Sequence, residues 1–186
     1  MDVAASQVTH PTTEQLDAGL ERVAASPSDI GTVEMIVRRP AVEEREVLDV
    51  AELVVGEGLA GDSYLARGSR EGPAHPQAQL NLMNSRSLDL CAAGDRDRWP
   101  LAGDQFLVDF DLSTANAPTG TRLAIGSAVI EVSAKPHNGC SKFRERFGVD
   151  AARWVNSRED LRLRGINAMV VQGGTVRAGD AIRKLS

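Results

Sequence analysis

Cysteine is scarce in this 186-residue chain, which has only Cys91 and Cys140. Two thiols cannot build a disulfide framework or a four-cysteine zinc site. Aromatic residues make up only 4%, so Val, Leu and Ile must fill most of any core. The three histidines, His10, His75 and His137, fall in separate segments. They show no His-x-x-x-His spacing, and no dedicated protein-bound zinc is expected. A run of about 18 apolar residues is missing, which argues against a membrane span. Excess positive charge is missing as well. The formal net charge is −5, whereas nucleic-acid binders are usually basic. Residues 1–13 are polar without an apolar secretory core, so the cytoplasm is the expected compartment.

What is present reads as one globular domain, with 42% apolar and 25% charged residues. Thr12 reads as a helix N-cap, with Gln15 in the capping-box position. Leu16, Leu20, Val23 and Ala24 then share an apolar face. Residues 1–30 thus form a helical appendage to a body over 31–186. Strands are expected at 32–38, within 44–55, and at 77–83, 105–109, 122–125, 128–134, 165–172 and 176–184, the last interrupted at Gly179-Asp180. Gly126-Ser127 is a two-residue hairpin signal. Residues 56–62 are a glycine-rich turn, and 63–76 read as a long polar surface loop. A helix after Ser85 places Leu88, Leu90 and Cys91 on one side, which makes Cys91 a core residue. Many short strands separated by turns imply a mainly β body with flanking helices, closing as a barrel or a sandwich.

The most informative stretch is 135–147. Pro136 stops a strand and Asn138-Gly139 turns the chain. Phe143 and Phe147 then recur at helix spacing. Cys140 is thereby expected in the first helical turn, among Lys135, His137, Lys142 and Arg144. Such a setting lowers a thiol's pKa and favours the thiolate. The competing reading is a small buried cysteine that precedes a helix. Cysteine-protease chemistry lacks a local signature, because no base and orienting group surround the thiol. Anion binding fits better. Arg67, Arg70, Lys135, Lys142, Arg162 and Arg164 lie in loops or at strand ends near glycine turns. Convergence on one barrel mouth would suit phosphate or pterin-like ligands. A metal that brings its own ligands needs only one thiolate from the protein.

Several pieces recur here in a telling order. They are Gly61-Asp62 after a strand, Gln79-Leu80-Asn81-Leu82, Gly103-Asp104-Gln105-Phe106 and Leu123-Ala124-Ile125-Gly126. Gly139-Cys140, Arg164-Gly165-Ile166 and the glycine-rich 173–180 follow. Together they resemble the MOSC domain, the C-terminal domain of molybdenum cofactor sulfurases, in its small stand-alone bacterial form. The likeness runs from about residue 31 to 186. It implies a MOSC-type β-barrel-like fold with one essential cysteine in a pocket. It further implies sulfur transfer, with Cys140 as persulfide carrier, or molybdenum cofactor binding, with Cys140 as metal ligand. The activity would be that of a sulfurtransferase or of a component of a molybdenum-dependent oxidoreductase. A separate pyridoxal-phosphate-dependent cysteine desulfurase is the implied sulfur donor. Lys135, His137 and Arg164 are expected to set the field around the thiol, with Arg67 in the anion site and Asp62 and Gln79 as ligand contacts. The chain departs from the family pattern in Asp104-Gln105-Phe106 for Glu-Asn-Leu, in Gly139 for Pro, and in Ser63-Tyr64 for Arg-His. The contrasting possibility is a non-enzymatic small-ligand module in which Cys140 is structural.

Overall fold

The computed structural model describes residues 9–68 and 72–185. Arg70 and the first eight residues of the polar N-terminus lie outside them. Two short helices, α1 (Thr13–Ala18) and α2 (Leu20–Ala24), open the described chain. The capping box forms: the Thr12 hydroxyl accepts from the Gln15 amide while the Gln15 side chain accepts from the Thr12 amide.

The strands are β1 (Ile30–Arg38), β2 (Glu46–Leu48), β3 (Val50–Val54), β4 (Gly58–Leu59), β5 (Leu80–Asn84) and β6 (Phe106–Asp109). They continue with β7 (Arg122–Ile125), β8 (Ala128–Val132), β9 (Ile166–Gln172), β10 (Gly174–Arg177) and β11 (Ala181–Lys184). The remaining helices are α3 (Tyr64–Arg67), α4 (Ser85–Cys91), α5 (Ser141–Phe147) and α6 (Val149–Val155).

Seven strands close into a barrel in the order β11-β7-β8-β9-β5-β6-β1, with β1 returning to pair β11. Closure removes the open edges that would otherwise invite aggregation. All neighbours are antiparallel except β5 and β6, which run parallel with α4 in the connection between them. Nine residues long, β1 pairs in turn with β11, β6 and β2, and its register shifts between Val33 and Met35. That shift lets one strand bend around the barrel wall. A second small sheet, β10-β3-β4, lies beside it.

Side chains sort by strand alternation. Leu80, Leu82, Phe106 and Val108 point into the barrel with Ile36, Ile130 and Val170. On the opposite face, Met83 and Leu107 are register partners. They pack beneath the helices with Leu16, Leu88, Cys91, Phe143, Phe147 and Trp154. All four phenylalanines are fully or almost fully buried, two in the barrel core and two beneath the helices.

The expected elements shift in several places. Residues 76–78 form a 3-10 turn started by Pro76, so the strand expected at 77–83 begins only at Leu80. The loop expected at 63–76 contains α3, and the turn at 56–62 contains β4. The interruption expected at Gly179-Asp180 is present and separates β10 from β11, with Gly179 at φ +91°, while β10 begins earlier than expected, at Gly174. The Gly126-Ser127 hairpin forms as expected, with Ile125 facing Ala128.

Candidate functional site

A cleft of about 400 Å³ opens at one end of the barrel, where β1, β5, the 103–105 turn, the loop after β8 and α5 meet. Arg39 follows β1 and is almost buried. Its main-chain N and Nε both donate to Asp62 Oδ2 at 3.0 Å, and Nη2 donates to Oδ1 at 2.9 Å. Its Nη1 donates to Asn81 Oδ1 at 3.2 Å and to the Gly103 carbonyl at 2.9 Å. Asp62 also accepts from the Tyr64 amide. Its carboxylate is spent on fixing Arg39.

A second buried pair stands opposite. Arg164 Nη1 donates to both Asp104 oxygens, at 2.9 and 2.7 Å, and Nη2 donates to the Ala102 carbonyl. Its guanidinium lies 4.8 Å from the centre of the Phe143 ring. His137 Nε2 is 2.7 Å from Asp104 Oδ1. Burial pushes the Asp104 carboxyl up, but Arg164 and His137 outweigh it and hold the group below its ordinary range. Burial, then the charge on Arg164, pushes His137 down against the pull of Asp104. The ring is therefore neutral at pH 7. Its Nε2–H donates to Asp104, and Nδ1 is left as an acceptor.

The loop that carries the cysteine is pinned along its length. The Ser133 amide donates to the Asn167 carbonyl. Asn167 Nδ2 donates to the carbonyls of Lys135 and Pro136 at 3.0 Å each, and its Oδ1 accepts from Asn81. The Gly139 amide donates to Asn156 Oδ1 at 2.8 Å. Cys140 ends the loop, exposed, as the N-cap of α5 and not within its first turn as expected. Its carbonyl accepts from the Arg144 amide, while its side chain makes no cap bond. The sulfur is thus presented at the cleft rim without a structural task. Cys91 is the opposite case: fully buried, with burial pushing its thiol up to about 12.

Charge dominates the lining. Arg45, Arg67, Lys135, Lys142 and Arg146 join Arg39 and Arg164, against one lining carboxylate among the described residues, that of Glu43. Arg45 donates only to the Glu44 carbonyl, and its Nε is buried without a partner. Burial, then Arg146, with Arg39 and Arg67 further down, lowers the pKa of Arg45. Burial, then Arg39, does the same to Arg67. Cations crowded against one another in this way mark a place that favours a multiply charged anion.

A MOSC domain model matches residues 70–183, more than half of the chain. The chain belongs to the MOSC domain family. The family is linked to molybdenum cofactor binding or sulfurase-related function. Among solved structures, this MOSC domain is similar to the YUAD protein of Bacillus subtilis, at 17% identity over 82% of this chain and 94% of that one, TM-score 0.62. It is also similar to YiiM of Escherichia coli, at 20% identity over 83% of this chain and 70% of that one, TM-score 0.55. YiiM of Geobacillus stearothermophilus shares 12% identity over 87% and 75% of the two chains, TM-score 0.52. At these identities the likeness is one of fold. No curated protein matches the chain.

Within this MOSC domain, Cys140, Lys135, His137, Arg164 and Arg67 line one cleft, together with Lys142. Asp62 lies behind it as the anchor of Arg39. Gln79 is buried elsewhere; its Oε1 accepts from the Val170 amide and braces β9, so it is not a cleft residue. Arg162 turns away as well, donating to the Ala117 and Leu112 carbonyls beside a neighbouring cavity of about 310 Å³. Sequence reasoning missed Arg39, Arg45, Asn81, Arg146, Asn167 and the pivotal role of Asp104. Asn81 and Asn167 did carry a signal, as carboxamides flanked on both sides by apolar residues within their strands, and the register sets them opposite each other. Among the described residues, no three His, Cys, Asp or Glu side chains cluster as a metal-binding set. Nor is any described helix long and apolar enough to cross a membrane.

Proposed function

We propose that the cleft holds a molybdenum cofactor, a metal carried by a phosphorylated pterin, with Cys140 as the protein's thiolate ligand. The observation that carries this reading is the lining itself: among the described residues, seven cationic side chains and one carboxylate stand around an exposed cysteine. A carrier of sulfur alone would need only a reachable thiol. A cradle of crowded guanidiniums, one with an orphaned buried Nε, calls for an anionic group to complete it. The residues fit such a group. Arg45 and Arg67, which form no ion pair with a carboxylate among the described residues, would hold its phosphate. Arg39, fixed by Asp62, would supply a rigid charge behind it. Cys140 is the soft donor suited to molybdenum, and His137 Nδ1 is an acceptor for a ring N–H. When bound, the group supplies a redox-active metal centre. The chain binds it, orients it through the pinned loop, and keeps a fixed positive field around it.

A second reading is supported by the exposure of Cys140. As a persulfide carrier, its thiolate would attack a persulfide presented by a desulfurase and accept the terminal sulfur, while the donor's cysteine leaves as a thiolate.

The test is the content of protein purified from cells that make the cofactor. Metal analysis and the fluorescence of released, oxidised pterin should both report near-stoichiometric loading. Cys140→Ala should lose molybdenum, and Arg45→Ala with Arg67→Ala should lose metal and pterin together. Wild-type protein free of both would overturn the cofactor reading. A sulfur adduct on Cys140 after incubation with a cysteine desulfurase and cysteine would then favour the carrier.

A further inference from the structure

The one carboxylate that lines the cleft among the described residues has an unusual position. Glu43 lies in the connection between β1 and β2 and has φ +64°, a left-handed conformation that side chains other than glycine rarely adopt. That backbone turns its carboxylate across the cleft mouth onto two cations of α5. Oε1 meets Lys142 Nζ and Oε2 meets Arg146 Nη2. Lys142 and Arg146 are four residues apart and so share one helical face. Arg146 is fixed further by donating to the Leu101 carbonyl at 2.9 Å. Two carboxylate oxygens on two cations imitate the contacts that a phosphate or carboxylate ligand would make at the same place.

The contact is also easy to open. Glu43 is 56% exposed and Lys142 54% exposed, and ion pairs so exposed are weak. Elsewhere in the cleft, Arg45 and Arg67 form no ion pair with a carboxylate among the described residues and feel Glu43 and Asp62 only as neighbouring charges, so a ligand can land there first. A monoanion that competes for Lys142 and Arg146 must displace a tethered rival, whose effective concentration is high. An anion with several charges can engage the open arginines and the α5 cations at once.

We propose that Glu43 is an internal counter-anion that sets the ligand class of the cleft, excluding simple monoanions and yielding to multiply charged ones. This rests on the reading of the cleft as an anion site. The ligand class is therefore a polyanion of the pyrophosphate kind, and Glu43 is a specificity determinant.

The experiment compares wild type with Glu43→Gln and Glu44→Gln. Both changes remove one negative charge, but the Glu44 side chain is exposed and takes no part in the contact. Cys140 is alkylated with iodoacetate, a monoanion, and with neutral iodoacetamide. Pyrophosphate binding is measured by calorimetry on the same proteins. In Glu43→Gln the iodoacetate-to-iodoacetamide rate ratio should rise about threefold, a screened single-charge effect. In Glu44→Gln it should not move. Pyrophosphate should bind both wild type and Glu43→Gln. An unmoved ratio in Glu43→Gln, or an equal rise in Glu44→Gln, overturns the proposal alone if pyrophosphate still binds. No pyrophosphate binding by either protein overturns the anion-site reading and the proposal together.

Discussion

His137 shows how one side chain ties stability to the site. Its folded pKa lies below the ordinary 6.5, from burial and then Arg164. As pH falls, the unfolded chain takes up the proton first, so the native state loses stability from about pH 6.5 down to the lower folded value. Asp104 adds a second loss of the same sign further down, below 3.8. In His137→Gln, whose amide can still donate to Asp104, the upper segment of this loss should flatten. Denaturant midpoints from pH 7.5 to 5 would show it, and a slope equal to wild type would count against the assignment. The two thiols give a simpler contrast. Cys140 is exposed and Cys91 fully buried with its thiol pushed to about 12. Iodoacetamide should therefore add once to the native protein, at Cys140, and twice only after unfolding, as peptide mass spectra would show. Cys91 was legible in the sequence because it sits on an apolar helix face, whereas the turn before Cys140 left an exposed and a buried thiol equally open, and the structure exposes it at the N-cap. Asp104 and Arg39 were not legible. Asp104 meets His137 across 33 residues and Arg39 meets Asp62 across 23. No local pattern distinguishes a strand-end arginine that finds a buried partner from one that finds water.

Among the elements, β9 depends on the glycine before it. Gly165 has φ +106°, and a Cβ there would stand 1.9 Å from the Leu82 carbonyl oxygen of neighbouring β5. This close approach lets Arg164 stay beside Asp104 while β9 joins the sheet at Ile166. Gly165→Ala combines a backbone clash with a left-handed conformation and should cost about 3 kcal/mol or more. Gly56 has φ +83° but nothing within 4 Å of a built Cβ, so Gly56→Ala should cost only about 1 kcal/mol. Urea unfolding of the two variants tests the difference. The strands themselves could be read from alternation and turn dipeptides. Their limits could not, because Pro76 starts a 3-10 turn where the apolar pattern already read as strand. The short pairing of β4 with β3 rests on contacts that a glycine-rich run does not announce.

For the molecule as a whole, the formal net charge of −5 conceals a segregation that composition cannot show: seven of its 21 Lys and Arg line one cleft. Such a gathering opposes folding, because like charges are held together in partial burial. Arg45 is the clearest case. Among the described residues it forms no ion pair with a carboxylate, its Nε is buried and unpaired, and Arg146, Arg39 and Arg67 act on it against the partial relief from Glu43. Removing its charge therefore has two effects of opposite sign. Without ligand, Arg45→Gln should raise stability by about 0.5–1 kcal/mol, as a strained functional group often allows. With a polyanion such as pyrophosphate present, the variant should gain less from binding, with affinity lower by about tenfold, the equivalent of one charge-assisted hydrogen bond. Melting curves with and without pyrophosphate should then cross: the variant melts higher alone, and wild type melts higher when saturated, since ligand bound only to the native state adds to its stability. A variant that is less stable under both conditions would mean that Arg45 serves the fold and not the cleft.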